Sequence, residues 1–370
     1  MVRLSNRDAI LALMQVPGIG STLYSRLVSR FGSPVEVWEC SGSALDSVRF
    51  LPAKARKCLL DGPDLESLDL LKKRLDAMGA WTLTLDHPDY PSRLRQIPQA
   101  PPVLFGLGDM HVLGQKSLAV VGSRKASSYG RRVAHELAQG LSEKGYLIVS
   151  GLAMGIDTAA HKGAVASGGL TVAVKGCGLD VEYPARNQAL AREICQNGAV
   201  VTEFFPGVPP EPGNFPSRNR IISGLSRAVL VVEAGPGSGS LITAYLGLEQ
   251  GKDVMAVPGS IYSYNSRGCH RLIREGAALV TSVEQVLEVL GEDFTEKGLA
   301  QSGKTVKVSS LSPDEKTVVD NLQAEPQHID DISAQCKMPA STVCSVLLRL
   351  ELKGLVLNHS GGKYSIKNVI

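Results

Sequence analysis

The fold is decided by the stretch LAVVGSRK at residues 118–125, where a short apolar run ends in a Gly-Ser turn and two basic residues. Apolar runs of similar length recur as far as residue 257, and stretches of helical periodicity separate them. This alternation predicts an α/β fold with a mostly parallel sheet and helices on both faces. The predicted strands are 118–121, 147–149, 171–174, 199–202, 228–232 and 253–257, and the predicted helices lie near 128–144, 156–167, 187–197, 218–224, 240–250 and 268–276.

The pattern divides the chain into four segments. Residues 1–60 show the apolar spacing of short helices and predict a helical domain. Residues 61–290 hold a connector and the α/β core, and residues 291–310 are polar and rich in Gly, Lys and Ser, which is typical of a linker. Residues 311–370 predict three helices and a hairpin, the pattern of a winged helix.

Composition excludes several classes of protein. The 370 residues include 39 basic and 36 acidic side chains, so the net charge of +3 indicates no particular partner. Seven cysteines without a C-x-x-C pair argue against a zinc site or a disulfide framework. Charges interrupt the N-terminus, and no window approaches the ~20 apolar residues of a membrane span. We expect a soluble cytoplasmic protein that needs no metal and no cofactor.

Four loops at the carboxyl ends of the predicted strands carry the candidate binding residues. In an open α/β sheet ligands bind at this edge, and glycine-rich turns before helices bind phosphate through backbone N–H groups. A nucleotide uses one or two such loops, whereas a polyanionic strand can use all four. The loop residues are Gly122, Ser123, Arg124, Lys125, Ser150, Gly151, Lys175, Gly176, Ser238, Gly239 and Ser240.

A structural interpretation of these loops stays open. The turn at 122–125 is equally compatible with two solvated cations, and Asp157 is expected to cap the helix that follows Gly151. Lys175, at the end of an apolar strand, should reach solvent or an anion, and a lysine without any ligand satisfies the same pattern.

The stretch FPSRNRIISG at residues 215–224 is the most specific segment of the chain. Arg218 and Arg220 supply planar donors for phosphates, and Asn219 can read a base edge or fix a loop. Phe215 can stack on an unpaired base or belong to the core. We expect Arg124 and Arg218 to be exposed, whereas Arg220 lies on the next helical face and can be part of the fold.

These motifs resemble the DprA/Smf family, and they follow the family order. The resemblance implies an extended Rossmann-like core that forms homodimers and binds single-stranded DNA, flanked by an N-terminal SAM-like or helix-hairpin-helix-like domain and a C-terminal winged helix. It further implies protection of incoming strands and loading of the recombinase RecA on them during natural transformation. The matching segments are 121–124, 150–157, 176–184, 215–226, 238–244, 256–261 and 268–277.

The chain departs from the family pattern at two positions and carries one further motif. Gly237 replaces a polar or basic residue, so one phosphate contact is in doubt, and Lys175 replaces an apolar residue and is a candidate to compensate. Pro17–Gly20 resembles the hairpin of a helix-hairpin-helix, with Arg26 and Arg30 one helical turn apart; a plain packing role explains it equally well.

Two other functions compete with DNA binding. A nucleotide hydrolase of the lysine-decarboxylase-like family shares the fold, but Thr243 stands where that family needs an acidic residue. His135 and His161 are expected at the surface and form no nucleophile–base pair. A winged-helix regulator is the other alternative, but its third helix offers only Arg349, Glu351 and Lys353, a weak footprint for duplex DNA.

Overall fold

The computed structural model describes residues 4–292, 312–323, 325–352, 355–359 and 362–366. The chain forms two compact units, residues 1–294 and 295–370. Residues 293–310 of the expected linker, and Lys353, lie outside the described residues.

A nine-stranded sheet organises the first unit, and its strand order is β1-β2-β6-β5-β4-β3-β7-β8-β9. The pairs from β6 to β9 are parallel, whereas β2 is antiparallel to both β1 and β6. The predicted mostly parallel sheet is therefore confirmed. The strands are β1 Trp81–Thr84, β2 Val103–Gly108, β3 Ser117–Val121, β4 Leu147–Ser150, β5 Thr171–Val174, β6 Ala199–Thr202, β7 Ala228–Val231, β8 Asp253–Ala256 and β9 Ala278–Leu279.

Helices cover both faces of this sheet, as the alternating pattern predicts. Along β3, Leu118 and Val120 pack with α8, α9 and α14 on one face, and Ala119 and Val121 pack with α11, α12 and α13 on the other. Successive side chains of a strand point to opposite faces, so a continuous apolar strand supplies two cores. These helices, with α10, are α8 Ser128–Glu143, α9 Ile156–Ala166, α10 Gln188–Asn197, α11 Asn214–Leu225, α12 Gly239–Glu249, α13 Arg267–Arg274 and α14 Val283–Val289.

The N-terminal helices share a third core with the sheet. Leu13 and Leu27 belong to the same apolar cluster as Phe105 of β2 and Ile194 of α10, so this segment is part of the first compact unit. The helices before α8 are α1 Asn6–Gln15, α2 Ser21–Phe31, α3 Pro34–Glu39, α4 Gly42–Asp46, α5 Ala53–Asp61, α6 Leu65–Ala77 and α7 Ser92–Arg95.

The second unit is a winged helix with its own core. Val318, Ile332 and Val346 are fully buried against one another, and Ser312 with Glu315 forms a capping box at the start of the first helix. Its three-stranded antiparallel sheet has the order β10-β12-β11. The elements are α15 Pro313–Asn321, β10 Gln327–His328, α16 Ile329–Cys336, α17 Ala340–Leu352, β11 Val356–His359 and β12 Lys363–Ile366.

The strand order reverses direction at β3. From β3 the chain adds β4, β5 and β6 on one side, then crosses over to place β7 and β8 on the other side. In open α/β sheets the crevice at the carboxyl ends of the strands beside such a switch point is where ligands bind. The fold thus places the turn after β3 and the loop after β7 beside each other.

A buried ion pair joins the N-terminal helices to the sheet. Arg220 of α11 donates to both carboxylate oxygens of Glu203, at 2.5 and 2.6 Å, and to Ser21 Oγ at the start of α2, at 3.0 Å. The side chains of Arg220 and Glu203 are only 9% and 13% exposed. This arrangement corrects the assignment of Arg220 to phosphate binding, because its donors are used inside the protein.

We predict that Arg220→Ala lowers the free energy of unfolding by about 3–5 kcal/mol, because Glu203 then keeps a buried charge without a partner. The double variant Arg220→Met/Glu203→Leu should lose less than the single one. Urea unfolding followed by tryptophan fluorescence measures this, since Trp38 and Trp81 both lie in the first unit. A loss below about 1 kcal/mol for Arg220→Ala would contradict the assigned role.

Candidate functional site

A cleft of about 740 Å³ lies at the carboxyl ends of β3 and β7, at the switch point of the sheet. Its size is that of a typical ligand site. Five of the residues expected at this site do not line it: Ser150, Gly151, Lys175, Gly176 and Arg220. The ten that do are Gly122, Ser123, Arg124, Lys125, Phe215, Arg218, Asn219, Ser238, Gly239 and Ser240.

The turn after β3 is held by the end of β7. The Ser123 N–H donates to the carbonyl of Glu233 at 2.6 Å, and the Lys125 N–H donates to Ser123 Oγ at 3.1 Å. A Cβ on Gly122 would lie 2.8 Å from the same Glu233 carbonyl, so only glycine fits there. We expected the backbone N–H groups of this turn to bind phosphate. Those of Ser123 and Lys125 instead form hydrogen bonds inside the protein, and the turn presents the exposed side chains of Arg124 and Lys125.

Arg124 and Lys125 are the exposed cations of the cleft. The Arg124 guanidinium lies 4.9 Å from the ring centroid of Phe215, and the Phe215 ring lies 5.4 Å from that of Tyr183. A Cβ on Gly176 would meet the Phe215 ring at 2.9 Å, so this glycine makes room for the aromatic side chain. Phe215 is half-buried, with one part in the protein and one part in the cleft.

Arg218 was expected at the surface, and that expectation is wrong. Its side chain is buried, with only 3% of its area exposed, and Nη1 donates to the carbonyls of Gly151, at 2.7 Å, and Val174. Burial lowers the pKa of the Arg218 guanidinium to about 10, although the negative charge of Asp157 opposes this shift. Arg218 therefore joins the ends of β4 and β5 and forms the floor of the cleft.

The loop after β4 is closed by Asp157. Asp157 Oδ2 accepts hydrogen bonds from the N–H groups of Gly151, at 3.2 Å, and Ala153, at 3.3 Å, and Ser150 Oγ donates to the Val120 carbonyl. Burial raises the pKa of the Asp157 carboxyl, while Arg218 and these hydrogen bonds act in the opposite direction. We expected a second anion site at the backbone near Gly151. The structure contradicts this expectation, because the Gly151 N–H group already binds the Asp157 carboxylate.

Lys175 binds backbone carbonyls and not the cleft. Its Nζ donates to the carbonyls of Leu179 and Val181, at 3.0 and 2.6 Å, and its side chain is buried, which lowers its pKa. The expectation that it reaches solvent or an anion is wrong, and so is its proposed compensation for Gly237. Gly237 lines the cleft, and Lys175 is absent from the described residues that line it.

The loop before α12 faces the cleft with the N-terminus of a helix. Ser238 caps α12 by accepting from the Ser240 N–H, and the two hydroxyl groups lie 2.7 Å apart. Asn219 Nδ2 donates to the Gly239 carbonyl at 3.2 Å, so Asn219 fixes this loop. Gly239 is exposed, and nothing within 4 Å would obstruct a Cβ there, which leaves space above the helix terminus.

Sequence reasoning missed two aromatic residues of the site. Tyr183 and Tyr264 line the cleft and are 38% and 60% exposed. A Cβ on Gly235 would meet the Tyr264 ring at 2.5 Å, so the glycine after β7 gives this ring its place. Each of these tyrosines lies in a long polar loop at the ligand edge of the sheet. An aromatic residue in such a loop could have indicated the site, but hydrophobic periodicity does not detect it.

The described residues contain no group of three or more His, Cys, Asp or Glu side chains that could hold a metal ion. No described helix is long and apolar enough to cross a membrane.

His161 is fully buried, so the expectation that it lies at the surface is wrong. Its Nδ1 lies 2.7 Å from Thr171 Oγ1, and burial lowers its pKa to about 3.

The fold and the cleft define a doubly wound α/β protein with a cleft lined by cations and aromatic rings at its switch point and a separate winged helix. Sequence comparison identifies the family. The family model described as DNA recombination-mediator protein A matches residues 81–291, and that of the DprA winged helix domain matches residues 304–362. The chain belongs to the DprA/Smf family.

Relatives and solved structures agree with this assignment. Protein Smf of Synechocystis sp. is 36% identical over 387 residues, which cover 96% of this chain and 97% of that protein. DNA processing protein A from Streptococcus pneumoniae has a crystal structure with 38% identity and a TM-score of 0.70, covering 78% of this chain and 98% of that one. The Helicobacter pylori protein, solved to describe its unique single-stranded DNA binding mode, gives 29% identity, a TM-score of 0.53, and coverage of 58% and 96%.

Two arginine variants test whether the buried Arg218 contributes more to stability than the exposed Arg124. We predict that Arg218→Ala lowers the free energy of unfolding by about 2–5 kcal/mol, because two carbonyls and the Asp157 carboxylate lose a buried cation. Arg124→Ala should cost less than about 1 kcal/mol, since it removes one exposed cation–π contact. Urea unfolding of both variants measures the difference, and equal small losses would show that Arg218 does not support the strand ends.

Proposed function

We propose that the protein binds single-stranded DNA in the cleft at the switch point and carries out no catalysis there. The observation that carries this proposal is the combination of exposed cations with partly exposed aromatic rings in one cleft. Arg124 and Lys125 can neutralise phosphates, and Phe215, Tyr183 and Tyr264 offer faces on which unpaired bases stack.

The remaining polar features suit a phosphodiester chain. The N-terminus of α12 lines the cleft through Gly239 and Ser240, so the positive end of its helix dipole lies there. Paired bases in a duplex cannot reach the aromatic rings, so the cleft favours a flexible single strand over a rigid double helix. Family membership supports the same substrate, since the Helicobacter pylori relative is described by its single-stranded DNA binding.

The described lining of the cleft offers the nucleotide-hydrolase alternative a single carboxylate, and the loop after β4 already uses it. Among the described residues that line it, the acidic one is Asp157, and its Oδ2 is engaged by two backbone N–H groups. Thr243 lines the cleft in the place where the lysine-decarboxylase-like pattern needs a carboxylate. A site without a free general base favours binding over hydrolysis.

The wider role follows from the family. Its description as a recombination mediator supports delivery of bound single strands to the recombinase RecA in natural transformation. We propose that the protein acts as a homodimer, as its resemblance to the family implies; two clefts on one strand then bind with higher avidity than one. The winged helix carries Arg349 and Glu351 on α17, a charge balance that suits a protein partner better than duplex DNA.

The first functional prediction concerns the strand preference. The protein should bind single-stranded DNA more tightly than duplex DNA of equal length and should show little sequence preference, because phosphate contacts carry no base information. Arg124→Ala should reduce affinity and flatten the log–log salt dependence by about 0.7, the value for one phosphate on a single strand. Titration of labelled oligonucleotides over a salt series measures both quantities.

Arg192→Ala is the matched control, because Arg192 is exposed on α10 and does not line the cleft. It should leave affinity and salt slope at wild-type values. Equal affinity for single strands and duplexes would oppose the proposed substrate. An Arg124→Ala variant with unchanged affinity and slope would remove the turn after β3 from the binding site.

The second functional prediction concerns assembly. Sedimentation equilibrium of the full chain at micromolar concentration should give about twice the monomer mass of 39.3 kDa. Avidity on one strand then requires both protomers, so dilution below the dimer dissociation constant should weaken binding to long strands. A monomer at all concentrations would overturn the proposed dimer and leave the cleft itself unaffected.

A further inference from the structure

A second cleft, of about 460 Å³, lies between α8 and α9, and most of its lining residues fall outside the motifs described above. It adjoins the first, because Arg124 and Lys125 line both. Within the part of the chain that the structure describes, no Asp, Glu, Phe, Tyr or Trp lines this second cleft.

Helical geometry places basic residues along both walls. Arg131 and His135 are four residues apart on α8, and Thr158 and Lys162 are four residues apart on α9, so each pair occupies one helix face. Both helices approach closely beyond this point, since a Cβ on Gly163 would lie 2.2 Å from the His135 carbonyl oxygen. The cleft therefore opens towards the N-termini of the two helices, where the turn at Arg124 lies.

The side chains of Arg131 and Lys162 are accessible to a ligand. Arg131 and Lys162 are exposed, and Arg131 donates one hydrogen bond, from Nη1 to the Ala126 carbonyl, which leaves its other donors. Arg132 also lines the cleft, but it lies 3.9 Å from Glu136 and is partly neutralised. Several like charges gathered in one concave surface repel one another, and an anion relieves that repulsion.

We propose that this α8–α9 cleft is a phosphate track that extends the DNA site. The bound strand leaves the aromatic cleft over Arg124 and Lys125, and its phosphates then pass between Arg131 and Lys162. Phe215, Tyr183 and Tyr264 line the first cleft, whereas the described lining of the second holds no Phe, Tyr or Trp, so we assign the bases to the first cleft and the backbone to the second. An acidic protein surface could also bind these cations. A strand that already lies in the first cleft would reach them directly over Arg124 and Lys125, which line both clefts, so this arrangement favours DNA.

The inference rests on the proposed function, and strand length separates the two. An oligonucleotide of about 4 nucleotides should fill the first cleft alone, whereas one of about 16 nucleotides should occupy both, within the range of known single-strand sites. For the long strand, Arg131→Ala/Lys162→Ala should flatten the log–log salt slope by about 1.4, which is two phosphates at about 0.7 each. If the affinities converge at 1 M salt, the loss at 0.1 M is about 25-fold.

The same variant should bind the short strand within two-fold of the wild-type affinity. The charge-preserving variant Arg131→Lys/Lys162→Arg should keep binding to both lengths, which excludes a purely structural cause. The control Arg192→Ala/Lys73→Ala removes one arginine and one lysine that are exposed and line neither cleft, and it should change nothing.

Unchanged binding of the long strand by the Arg131→Ala/Lys162→Ala variant would overturn the track and leave the cleft to an acidic protein partner. Equal losses on both lengths, or an equal loss in the control variant, would overturn it as well, because they indicate a general effect of charge. Failure of Arg124→Ala to weaken either length would instead overturn the proposed function and this inference with it.

Discussion

The hydrogen bonds of the buried Arg218 guanidinium hold together the carboxyl ends of the central strands, where the cleft lies. The guanidinium binds the carbonyls at the ends of β4 and β5, and the neighbouring Asp157 binds the N–H groups of Gly151 and Ala153. Each of these backbone groups would cost about 1–3 kcal/mol if it were buried without a partner. Arg218 and Asp157 together therefore give the cleft a fixed floor.

This floor determines what is left for a ligand. The polar groups after β4 and β5 are engaged inside the protein, so the groups that remain for the proposed DNA site are exposed cations, aromatic rings and the N-terminus of α12. A net charge of +3 is consistent with such a site, because attraction of a polyanion depends on local charge and not on the total. Arg124 and Lys125 supply that charge where the two clefts meet.

The sheet was predictable from sequence because buried parallel strands are continuous apolar runs. The strands at 171–174 and 199–202 have the predicted bounds, and the other four central strands agree within one residue. The site was predictable only in part. Arg124 and Arg218 are the same residue type in similar motifs, and only the long-range packing of β4 and β5 against α11 makes one exposed and the other buried. Tyr264 comes from a loop without periodicity, so no local pattern indicated its position.

The most direct test of the cleft as the DNA site is a crystal structure of the full chain with a short oligothymidylate. If DNA binds in this cleft, a phosphate should lie beside Arg124 and the N-terminus of α12, with a base against Phe215, Tyr183 or Tyr264. DNA bound at the winged helix or the N-terminal hairpin, with the cleft at the switch point free of nucleotides, would contradict it.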